Sequence, residues 1–145
     1  MLKSKAQLLL EVVLILGLIT IILGIFASAL VLSFNALRYS TISQDITIYG
    51  FEKYKNALFD IAQRDFNSLN TLSTTTDYFL TSTVFGWQIV SGKERVKSGT
   101  EEYFFSFRID NFQNDINVKL IKVTGESQNI IFNDYFLLPK LNVNF

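Results

Sequence analysis

From Val12 to Phe34 the chain carries no charged residue for 23 positions, and an α-helix of that length runs about 35 Å at 1.5 Å per residue. That is enough to cross a hydrocarbon core of about 30 Å with some tilt. The apolar run begins earlier, at Leu8, and its one charge up to Leu32 is Glu11. A carboxylate at the bilayer centre costs roughly 2.5–3.5 kcal/mol on insertion scales and less near the interface, so its retention asks for a reason. Lys3 and Lys5 precede the span and Arg38 is the first charge after it. This bias favours a cytoplasmic N-terminus and an exported C-terminal portion.

Two simple readings of the segment stand side by side. As a secretory signal peptide, Lys3 and Lys5 form the basic region and Ala27-Ser28-Ala29 has the A-x-A form of a cleavage site. Against it, the apolar run continues through Leu30-Val31-Leu32, and Glu11 interrupts its start. As a plain uncleaved anchor, Glu11 lies near the helix start, where a carboxylate gains roughly 0.3–1 kcal/mol from the helix dipole.

A third reading rests on the string Lys5-Ala6-Gln7-Leu8-Leu9-Leu10-Glu11-Val12, which resembles the N-terminus of type IV pilins and type II secretion pseudopilins. The resemblance implies a leader over residues 1–6, cleavage between Ala6 and Gln7, and Glu11 as the family's glutamate at the fifth mature position. The family usually has Gly before the cut and often Phe after it, where this chain has Ala6 and Gln7. Ser28 stands where many pilins carry a helix-kinking proline, so no kink is expected there. The logic of the glutamate also follows from electrostatics alone. A carboxylate buried between packed helices needs a partner, and the free terminal amine of a neighbouring chain supplies one. Glu11 would then pair with the Gln7 amine of an adjacent subunit and set the axial stagger.

The 145 residues allow one span, over residues 7–34, and one exported domain of roughly 75–110 residues. Lys+Arg and Asp+Glu are balanced at 13 each; loss of the two leader lysines leaves 11 against 13, a net of −2. No basic surface for nucleic acid follows from that. Without cysteine there are no disulfides, so an exported domain must rely on its core. Fourteen Phe and six Tyr provide the large apolar groups for one.

Helical spacing continues past the span. Tyr39, Ile42, Ile46 and Tyr49 follow a 3-4-3 rhythm, and Phe51, Tyr54, Leu58 and Ile61 repeat it after a shift near Gly50. The pattern predicts one long helix, bent at Gly50, whose exported half covers residues 35–70 and presents Lys53, Asp60 and Arg64 on its polar face. Asn67 to Thr76 reads as a polar connector.

Residues 71–145 then turn to a period of two. Strands are expected at Val84–Val90, Glu94–Lys97, Tyr103–Asp110, Ile116–Val123 and Ile130–Leu137. Short links favour antiparallel neighbours. The outcome is an α+β fold, a long helix on a four- or five-stranded antiparallel sheet. Pilin-like proteins share that plan, and the run from Gly86-Trp87-Gln88-Ile89 to Val123-Thr124 looks like a small pseudopilin head.

Little chemistry is visible. Without histidine there is no histidine-based triad or metal site. Glu101 and Glu102 are adjacent, so a strand points them to opposite faces, not toward one substrate. The run Asp110-Asn111-Phe112-Gln113-Asn114-Asp115-Ile116-Asn117 offers oxygens to calcium but lacks the spacing and glycine of an EF-hand loop. Asn and Asp are also turn residues, which makes a turn the first reading and calcium the weaker one. Gly17 and Gly24, seven apart in the span, suit close helix packing, whereas Gly86, Gly92, Gly99 and Gly125 fall in or near expected turns.

The expectation is thus a structural subunit and not an enzyme. It resembles a pilin or pseudopilin of the bacterial cytoplasmic membrane, polymerised through its N-terminal helix into a type IV pilus or a secretion or DNA-uptake pseudopilus. The partners implied are other pilin-like subunits, a prepilin peptidase, an assembly platform and the membrane. The alternative is a monomeric single-pass protein whose exported domain binds a ligand or a protein.

Overall fold

The computed structural model describes residues 2–141. Met1 of the expected leader and the last four residues of the expected head lie outside them. The chain divides into two compact units, one up to Thr41 and one from Ile42 onward.

The described part of the first unit is helical and belongs to α1, Leu2–Ile46. No proline interrupts the segment, and the helix runs unbroken through Ser28. Its large apolar residues from Leu8 to Phe34 each keep between 43% and 70% of their surface exposed. A helix that is apolar on every side has no core stripe; its surroundings must supply the apolar medium.

In the second unit the helix continues from Ile42. A π-helical turn at Thr47–Glu52 joins the end of α1 to α2, Lys53–Asp65, and a 3-10 stretch, Phe66–Thr71, ends the run. The Asp65 side chain accepts a hydrogen bond from Ser68 N at 3.3 Å, capping that last stretch. The expected bend at Gly50 is instead this π turn. Its i→i+5 bonds insert an extra residue, which changes the face presented to the sheet. Ile42, Ile46, Gly50, Tyr54, Leu58 and Ile61 are all buried, while Tyr39 and Tyr49 are exposed. Gly50 therefore belongs to the core stripe and does not interrupt it. The Phe105 ring occupies the space that a Cβ at position 50 would fill.

Six antiparallel strands follow: β1 Tyr78–Thr83, β2 Gly86–Ser91, β3 Glu94–Ser98, β4 Glu101–Asn111, β5 Val118–Ser127 and β6 Ile130–Pro139. The spatial order is β2-β1-β4-β5-β6. The strand β3 also pairs with β4, at the Glu101–Phe105 end, while β1 touches β4 through Tyr78 opposite Phe107. Six strands replace the four or five expected, and the added one is β1. The expected Val84–Val90 strand is corrected as well: Val84 and Phe85 form the exposed turn of the β1–β2 hairpin, in which Thr83 pairs with Gly86. The last hairpin turns at Gln128 and Asn129, both at positive φ of 47° and 69°. Gly125 lies inside β5, not in a turn, opposite Phe105. Ile46 presses against it where a side chain would stand.

The core lies between helix and sheet. Along β4 the side chains of Tyr103, Phe105, Phe107 and Ile109 are buried, as the two-residue period requires for one face. Tyr54 meets the Phe107 ring edge-on at 5.9 Å and the Phe105 ring, tilted, at 6.3 Å, the offset geometries that aromatic quadrupoles favour. Phe59 stacks on Phe136 at 6.0 Å, tying α2 to β6. A long N-terminal helix packed on an antiparallel sheet is the plan of the pilin-like fold.

Candidate assembly site

Ala6, Gln7 and Glu11 all lie on the exposed surface of α1. Four residues separate Gln7 from Glu11, so both stand on one side of the helix about one turn apart. The helix also deals with its own polar side chains. Thr20 Oγ1 donates to Leu16 O at 2.8 Å, Ser28 Oγ to Gly24 O at 2.9 Å and Ser33 Oγ to Ala29 O at 2.8 Å. Each hydroxyl is satisfied within the helix, which a medium without water demands. Gly17 and Gly24 have no neighbouring atoms where a side chain would stand, leaving two places for close approach by another helix. The helix is long and apolar enough to cross a membrane.

Several carboxylates of the second unit are engaged by neighbouring groups. Glu102 pairs with Arg95 across the β3–β4 ladder, while Glu101 accepts from Gln128 Nε2 at 2.6 Å. The two face different partners, as adjacent strand residues must. On α2, Asp60 and Arg64 pair with each other one turn apart. In the Asp110 to Asn117 run, Phe112–Asn114 is a 3-10 turn with Gln113 and Asn114 at positive φ. There Asp110 Oδ1 accepts from Asn111 N at 2.7 Å, and Asp115 Oδ1 from Asn117 N at 2.8 Å. These oxygens cap the turn itself, and the described residues contain no group of three or more acidic side chains that could hold a metal ion.

Two buried phenols carry polar links that sequence reading missed. Tyr54 Oη donates to Glu94 Oε2 at 2.9 Å, and Lys53 Nζ donates to Glu94 Oε1 at 2.6 Å. Burial, then the charge of Glu94 and the bond to it, push the Tyr54 phenol above its ordinary range. Tyr103 Oη donates to Asp45 Oδ2 at 2.7 Å, and burial with the same kind of bond pushes this phenol up too. Both links join residues 40 or more positions apart, beyond the reach of local periodicity. Another residue the sequence reading passed over, Lys119, had a signal: it shares the parity of Ile121 and Val123 on β5, and all three are buried.

Comparison with known proteins gives no matching family model, no matching curated protein and no matching solved structure.

Proposed function

We propose that the chain is a pilin-like or pseudopilin-like structural subunit. In this reading it is inserted in the bacterial cytoplasmic membrane with its N-terminus inside and its head exported, cut between Ala6 and Gln7 by a prepilin peptidase, and polymerised through α1. The observation that carries the reading is the composition of α1 around Glu11: a helix apolar on all sides, internally satisfied in its hydroxyls, and holding one exposed carboxylate at the fifth position after the proposed cut. A lipid-embedded carboxylate is stabilised by an ammonium, and cleavage creates one at Gln7. The chain's own Gln7 lies about one turn from Glu11 on a rigid helix, with its N-terminal amine directed along the axis. A neighbour displaced axially offers that amine to Glu11 and thereby fixes register.

The test compares mass and N-terminal sequence of the protein from membranes of cells with and without a prepilin peptidase. A start at Gln7 that depends on the peptidase supports the pathway. A start at Leu30 would make it a secreted soluble domain, and an intact leader in both strains a plain anchor. In the same cells Glu11→Gln is expected to insert normally yet not enter filaments; normal incorporation would overturn the register role.

A further inference from the structure

The end of the sheet beside the Phe112–Asn114 turn encloses a cleft of about 330 Å³ between β4, β5 and the segment following α2. Such a volume lies at the small end of ligand pockets. Its apolar walls are Leu69, Leu72, Ile109 and Ile116. Asn111 and Lys119 line it as well; they stand directly opposite each other in the β4–β5 ladder, so their side chains share one face of the sheet with Ile109. Lys119 is only 4% exposed. Its ammonium has three N–H donors, and among the described residues Nζ makes one hydrogen bond, to Asn111 Oδ1, and no ion pair within 4.0 Å. An ammonium can only donate, so this bond turns the Asn111 oxygen toward Lys119 and leaves Asn111 Nδ2 a donor with no acceptor among the described residues. A buried cation held by one neutral acceptor is costly unless an anion completes it. Asp110 does not complete it: as the neighbour of Asn111 on β4 it points to the other face of the sheet. Its pull on the Lys119 amine is smaller than the effect of burial, which holds that amine below its ordinary range. The cleft therefore joins two donor groups in need of an acceptor, one of them charged, to apolar walls.

We propose that this cleft binds a small aliphatic monocarboxylate. One carboxylate oxygen meets Lys119 Nζ and the other the Asn111 amide N–H, while the hydrocarbon tail lies among Leu69, Leu72, Ile109 and Ile116. A second charge on the ligand would find no counter-charge on this face, which sets diacids and zwitterions outside the class. The inference is independent of filament assembly, because every group belongs to the second unit.

The test is an NMR titration of the full chain in nanodiscs, observed at the Ile116 methyl groups, with 4-methylpentanoate, 4-methylpentanamide and acetate, each concentration corrected for partition into empty nanodiscs. 4-Methylpentanoate should shift the signals saturably. The amide keeps the tail but loses the charge and should bind about 10–100-fold more weakly, the range for a hydrogen bond to a charged group. Acetate keeps the charge but loses the tail and should bind at least about tenfold more weakly. Asn111→Asp sets a carboxylate of the chain's own beside Lys119; it should raise the melting temperature and weaken 4-methylpentanoate by about 10–100-fold. Lys119→Met, which keeps the apolar stem, should weaken it by a similar factor. Absence of saturation by about 50 mM 4-methylpentanoate, equal binding of the acid and the amide, or undiminished binding by Asn111→Asp would each overturn the proposal. If Lys119→Met does not fold, Asn111→Asp and the comparison of acid with amide on the unaltered chain decide.

Discussion

Gly50→Ala adds one methyl group at the point where Phe105 lies against the π turn. The new Cβ would fall inside the van der Waals envelope of the ring, and the atoms it meets belong to a side chain that is itself fully buried. Phe105 is held by ring contacts to Tyr54 at 6.3 Å and Tyr103 at 6.2 Å, so it has little room to withdraw. Overpacking of this kind costs about 1–3 kcal/mol, offset by the gain of about 1 kcal/mol when alanine replaces glycine in a helix. The net expectation is a loss of about 0–2 kcal/mol. The informative comparison is a cycle with Phe105→Leu, which removes the ring at the expense of the aromatic pairs, about 0.5–1.5 kcal/mol each. In that background Gly50→Ala should become neutral or stabilising by up to about 1 kcal/mol, giving a coupling of about 1–3 kcal/mol. Urea unfolding followed by near-ultraviolet circular dichroism measures the four variants, and thermal scans should show roughly 4–8 °C per kcal/mol for a domain of this size. The same loss in both backgrounds would refute the claim that the ring dictates glycine here.

Other perturbations separate further parts of the argument. Glu94→Ala strips the buried Tyr54 hydroxyl of its acceptor and should cost about 1–3 kcal/mol in the same unfolding assay, whereas Glu94→Gln keeps an acceptor oxygen and should cost less. The Asp77 carboxylate accepts from Arg108 Nε at 2.6 Å, which holds it below its ordinary value of 3.8; Asp77→Asn should thus melt lower than the native chain at neutral pH, the gap narrowing as pH falls below 3.8. Both groups are partly exposed, so the gap should be small. Asn129 sits at a φ of 69° in the last hairpin turn, where Asn129→Gly should stabilise by up to about 1 kcal/mol, read as a raised melting temperature.

The legible and illegible parts of this chain divide along physical lines. The long apolar helix, its amphipathic continuation and the β5–β6 hairpin announce themselves because their periods are local and long. The strand β1 did not, since Tyr78-Phe79-Leu80 fails to alternate and Thr81-Ser82-Thr83 continues the composition of the connector before it. Its place comes from hydrogen bonding to β2 and from Tyr78 meeting Phe107. The π turn was legible as a phase shift near Gly50 but not in kind, because i→i+5 bonding has no residue signature of its own. Gly125 read as a turn residue because glycine is common there; its use against Ile46 depends on a contact 79 positions away. Ala6, Gln7 and Glu11 came from the motif alone, whereas the cleft around Lys119 needed three separate segments to be brought together.

The link between Tyr103 and Asp45 has a mechanical meaning. Tension applied along α1 would meet buried fastenings to the sheet at Ile42, at the Asp45 bond to β4 and at the seat of Ile46 on β5. All three precede the π turn at Thr47. Load is therefore handed to β4 and β5 before it reaches the wider coil of the helix, which would otherwise be the segment to unwind first. The turn can remain a packing device because the bolts sit upstream of it.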